Sequence, residues 1–162
     1  MTKGRYRLQP VLDVRAKAKE DAVRHVALRR NQLREAEEEL ARRVGELARC
    51  RGHQQTARAA MLGAAERGAA ARLLAGHRTH LADLRRQESE LLAAVDEQRA
   101  AVARAEREVE GALAVLAEAS KEHRVIEKHR ENWREAERLG ERRREQKLGD
   151  EIASVLRRRG DG

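Results

Sequence analysis

In a chain of 162 residues, 29 of the 65 apolar side chains are alanine, Phe is absent, and Trp and Tyr occur once each. That is too little bulk for a sheet or a layered α/β interior. Charged side chains make up 40% of the sequence, Arg outnumbers Lys 30 to 6, and the net charge is +8. Alanine, leucine, glutamate and arginine all favour helix, so the composition excludes sheet, multilayer and collagen-like folds and points to long exposed helices.

The basic start Met1-Thr2-Lys3-Gly4-Arg5-Tyr6-Arg7 is not followed by an apolar stretch, as a secretion signal requires. No apolar run approaches the ~18 residues of a membrane span. With a single cysteine, Cys50, the sequence fits a reducing, cytoplasmic compartment.

Pro10 marks the first turn of a helix predicted over about 9–60. Its apolar stripe follows Leu12, Val26, Leu33, Leu40 and Leu47, with Lys19 as an exception and Ala16, Val23 and Val44 at the alternate seam position. A stripe this narrow suits a coiled-coil partner rather than a broad core. The glycines Gly63, Gly68 and Gly76 predict a tip over about 61–77, with a short helical piece at 69–74.

A second helix is predicted over about 78–157. Its seam alternates in steps of three and four from Leu81 through Leu84, Leu91, Val95, Val102, Val109, Ala112, Leu116 and Ile126 to Trp133. Only Glu88, Gln98, His123 and Arg130 interrupt it, and a repeat sustained so long implies left-handed supercoiling around a partner helix. Beyond Trp133, Leu139, Leu148, Ile152, Val155 and Leu156 make a looser apolar face, and Arg157-Arg158-Arg159-Gly160 closes the helix. The expectation is all-α: one elongated domain over 1–162, an antiparallel coiled-coil hairpin with a short Gly-containing tip.

No catalytic constellation emerges, so the chain is expected not to be an enzyme. Gly63-Ala64-Ala65-Glu66-Arg67-Gly68 lacks the Lys-Ser/Thr pair of a phosphate loop. Ser89, Ser120 and Ser154 have no activating base nearby in sequence. Cys50 with His53, and His77 with His80, each lie one turn apart but lack the second ligand pair of a metal site. Nucleic-acid binding is suggested by the charge, yet arginines such as Arg34 and Arg142-Arg143-Arg144 are interleaved with glutamate, and stacking aromatics are missing. No nucleic acid and no cofactor is expected.

Two segments carry a resemblance. The opening Tyr6-Arg7-Leu8-Gln9-Pro10-Val11-Leu12-Asp13-Val14-Arg15, with Lys19-Glu20-Asp21-Ala22, resembles the start of FliJ, the coiled-coil protein of flagellar type III export. The stretch Glu141-Arg142-Arg143-Arg144-Glu145-Gln146-Lys147-Leu148-Gly149-Asp150-Glu151 resembles that family's Gln-Lys and Asp-Glu pairs near the end of helix 2. The resemblance implies a stalk in a hexameric export ATPase, with Arg15, Arg143, Gln146, Lys147, Asp150 and Glu151 facing the ring. It also implies a tip-side contact with the membrane export-gate protein, for which Arg43, Glu46, Cys50 and His77 occupy the comparable stretch. Export chaperones are further expected partners, and the expected location is the cytoplasmic face of the inner membrane. The injectisome stalk of the YscO type shares the architecture, although the opening segment looks more flagellar.

Overall fold

The computed structural model describes residues 5–160, so the basic start Met1–Gly4 lies outside the described residues. Two helices account for nearly all of it, α1 over Gln9–Glu66 and α2 over Ala71–Gly160. The fold is all-α, two long helices paired antiparallel as a coiled-coil hairpin, with no strand among the described residues. The glycine-rich stretch assigned to a tip over 61–77 is helical except at residues 67–70. Gly63 and Gly76 each weaken their helix by about 1 kcal/mol relative to alanine, too little to break a run of alanine, leucine and arginine.

The turn is built by one residue. Gly68 has φ 71°, the left-handed conformation that suits glycine. Its N–H donates to the Ala65 carbonyl at 3.0 Å, and the Ala69 N–H reaches back to the Ala64 carbonyl at 3.0 Å. These are the two bonds of a Schellman cap, which satisfy carbonyls left open at the end of α1. The start of α2 has no such help. Ala70 stands at its N-cap with no side-chain acceptor, and no acidic residue occupies the first turn.

The described residues form two compact units: the described parts of Met1–Arg24 with Ala114–Gly162, and His25–Leu113. In the His25–Leu113 unit, cross-helix partners fall in number on α2 as they rise on α1. Arg29 meets Glu108, Gln98 reaches the Ala36 carbonyl, Arg43 the Ala94 carbonyl, and Arg51 Glu88. In the terminal unit Tyr6 meets His129, and Arg15 meets Glu122. Both pairings are therefore antiparallel.

The seam of α2 follows the positions expected from its sequence, with Leu81, Leu84, Val95 and Ala112 buried. The main stripe of α1 does so too, with Leu12, Val26 and Leu47 buried, but its alternate positions do not. Val23 and Val44 are 48% and 43% exposed, and Ala16 is exposed as well. The alternate positions are instead Arg15, Ala22, Arg29, Ala36, Arg43 and Cys50, each buried or half-buried. An arginine can occupy a seam because its methylene stem covers apolar surface while the guanidinium turns outward. The Arg29 head does so at 2.7 Å from Glu108 and 3.0 Å from Gln32.

Polar groups also fix the seam near the turn. Gln54, buried, donates from Nε2 to the Leu84 carbonyl at 3.2 Å and to Glu88 at 2.7 Å. Arg51 donates to the same carboxylate at 2.7 Å. Beside them Ala57, Leu81 and Leu84 form a small apolar cluster capped by Met61. No described helix is long and apolar enough to cross a membrane.

Candidate functional site

Within the terminal unit, the paired stretch ends in an aromatic clasp. Tyr6 is buried, its ring centroid 5.3 Å from Trp133 and 5.8 Å from His129, and its hydroxyl lies 2.8 Å from His129 Nδ1. The chain's two aromatic residues thus serve each other, and Trp133 is a seam residue. The seam just inside the clasp is polar. Arg130 Nε is buried without a hydrogen-bond partner, and His123 Nδ1, equally enclosed, sits 3.3 Å from the Glu127 carboxylate without hydrogen-bond geometry. Unsatisfied polar atoms of this kind cost stability. This stretch therefore carries a polar cost that the apolar seam positions do not.

Past Trp133 the seam positions of α2 become Glu137, Gly140, Arg144, Lys147 and Glu151. Such residues cannot form an apolar seam, and every residue from Glu141 to Ile152 is exposed. Arg143, Gln146, Lys147, Asp150 and Glu151 lie here, at spacings of three and four that put them on one side of the helix. Leu148, Ile152, Val155 and Leu156 form an exposed apolar stripe on the other side. The end of α2 is thus an amphipathic helix, with a mixed-charge face and an uncovered apolar face.

Arg15 does not join this group. It pairs with Glu122, and Arg143 lies about 30 Å further along α2 at the standard helical rise. The register of the terminal unit, in which Tyr6 meets His129, places Arg15 there, whereas the resemblance put it beside Lys147. The apolar stripe is the part of the surface that the resemblance did not name. Its sequence signal is the loose face after Trp133, which carries no seam partner.

The residues considered for a gate contact are scattered. Cys50 is buried in the seam, its thiol donating to the Leu84 carbonyl at 3.5 Å. Arg43, half-buried, bonds Glu39 at 2.8 Å and the Ala94 carbonyl at 3.1 Å, while Glu46 is exposed. His77 lines a groove nearer the turn with His80, Arg72 and Leu73. These four residues form no single patch. Cys50 and His53 do not converge either, because the thiol faces α2 and His53 is exposed.

Two carboxylates of the His25–Leu113 unit are held below their usual range. For Glu88 the main cause is the Arg51 hydrogen bond, followed by that of Gln54. For Glu39 it is the hydrogen bond from Arg43. Both are structural ties, and neither sits in a cleft suited to acid–base work.

Comparison with known proteins agrees with this architecture. A family model described as YscO-like protein matches residues 3–160. A solved structure described as a candidate YscO homolog from Chlamydia trachomatis is 25% identical, with a TM-score of 0.81 over 96% of each chain. No curated protein matches the sequence.

Proposed function

The chain belongs to the YscO-like family, a stalk-type family associated with type III secretion, and from that membership we propose that it is a non-enzymatic accessory stalk of a type III export ATPase. The observation that carries this reading is the end of α2, where an amphipathic helix leaves both its charged face and its Leu148–Leu156 stripe uncovered. A partner that covers the stripe gains apolar burial, and the face bearing Arg143, Gln146, Lys147, Asp150 and Glu151 supplies charge complementarity to acidic and basic groups lining a pore. A single helix in a six-fold ring meets each subunit differently, so binding biases the ring's conformations through differential affinity.

The Tyr6–Arg15 opening supports a flagellar system, with the injectisome stalk of the YscO type as the alternative. The same reading places the protein at the cytoplasmic face of the inner membrane, with the export gate and export chaperones as further partners.

Purified full-length protein is expected to raise ATP turnover or ring assembly of its cognate export ATPase. The double change Arg143→Glu with Lys147→Glu is expected to weaken that effect more than the same change at Arg85 and Arg86. No stimulation with the cognate ring, or equal losses from the two variants, contradicts the proposal.

A further inference from the structure

The turn end of the His25–Leu113 unit carries a surface that ATPase docking does not use. Between residues 52 and 82 the sequence holds Arg58, Arg67, Arg72 and Arg78 but a single acidic residue, Glu66. None of the four arginines forms an ion pair among the described residues, as is also true of Arg30, Arg34, Arg49, Arg85, Arg104 and Arg107 of the same unit, so what sets this end apart is its shortage of carboxylates. Helix stability accounts for Arg67, a cation at the C-terminal end of α1, but not for Arg72. Arg72 lies in the first turn of α2, which contains no acid, and a cation there opposes the helix dipole.

Two apolar side chains stand beside these charges. Leu62 and Leu73, either side of the turn, are 60% and 54% exposed. Leu73 and Arg72 also line a groove of about 670 Å³ with His77, His80, Gly76 and Ala70. The turn between them is Gly68-Ala69-Ala70, small enough to let the backbone approach a surface closely.

We propose that this turn end docks on an anionic phospholipid surface. Arg58 lies about two turns before the end of α1, Arg67 directly follows that end, and Arg72 and Arg78 lie in the first turns of α2, about 120° apart at 100° per residue. The charges are therefore gathered within about two helical turns of the chain reversal. A cluster of exposed cations with a single carboxylate beside it suits a surface dense in phosphate. Exposed leucines among arginines are the composition of a surface-lying membrane contact, with side chains at the headgroup boundary and cations on the phosphates. This inference stands apart from the ATPase reading, since it uses neither the terminal unit nor its residues.

The test is co-sedimentation of the full-length chain with vesicles of phosphatidylcholine alone and of equimolar phosphatidylcholine and phosphatidylglycerol. Binding is expected only to the anionic vesicles and to fall as salt rises. Arg67→Gln with Arg72→Gln is expected to weaken it roughly thirty-fold, at about five-fold for each cation near the surface. Both side chains are exposed and without ion-pair partners, and far-UV helicity verifies that the variant folds. Arg143→Gln with Lys147→Gln is expected to bind like the unaltered chain. Failure to bind anionic vesicles overturns the proposal, as does equal binding by the Arg67/Arg72 variant or a comparable loss from the Arg143/Lys147 variant. Retention on poly-glutamate without vesicle binding also overturns it and assigns the end to an acidic protein segment.

Discussion

Glu88 takes two cross-helix donors, Arg51 and Gln54, and so ties α1 to α2 through one charge. Because its carboxyl is held below the ordinary range, the tie is fully present above the unfolded value of about 4.3 and is lost as pH falls through the lowered folded value. Thermal unfolding followed between neutral and mildly acidic pH is expected to show stability falling in acid. Glu88→Gln is expected to flatten part of that fall, and Glu39, also held below its usual range, contributes in the same direction. An unchanged acid dependence in the variant contradicts this role. The arginines of the α1 seam show why single residues were hard to place from sequence. A search for apolar heptads finds Val23 and Val44 and passes over Arg15, Arg29 and Arg43, which sit fourteen residues apart at true seam positions. Their function becomes visible only opposite Glu122, Glu108 and the Ala94 carbonyl, partners that depend on a register the sequence does not state.

Among the elements, α2 was legible because most of its seam positions are apolar, so that the three-four alternation survives four polar interruptions. The turn was less legible. Glycine count suggested a long tip, but only Gly68 adopts a positive φ, and the other glycines are carried by their helices. This difference is measurable by substitution. Gly68→Ala meets no neighbouring atom within 4 Å, so its cost is the left-handed backbone alone, about 1–2 kcal/mol of destabilisation. Gly111→Ala also meets open space, within α2, and is expected to stabilise by up to about 1 kcal/mol. Denaturant titration of both variants checks the opposite signs. In the terminal unit, Tyr6→Ala removes the aromatic partner of Trp133 and is expected to cost about 2 kcal/mol locally. The change should appear as a shift in Trp133 fluorescence and faster amide exchange over residues 9–15, with little effect on residues 47–57. Uniform loss of protection across both stretches contradicts a local clasp.

At the scale of the whole molecule, the sequence divides its labour by charge and burial. Residues 81–120 are net acidic and supply carboxylates such as Glu88 and Glu108 to arginines of α1, while the turn end and the end of α2 keep exposed basic groups. The resemblance of the two terminal segments was enough to reach the family, but it grouped Arg15 with Lys147, which the register separates. The docking role then rests on the end of α2 alone. A photo-crosslinking residue at position 147, compared with one at position 86, in the full-length chain mixed with its cognate export ATPase tests that role most directly. Cross-links to the ATPase from position 147 and none from position 86 are the expected result. Cross-links from position 86 alone, or equal yields from both, contradict docking through the uncovered end of α2.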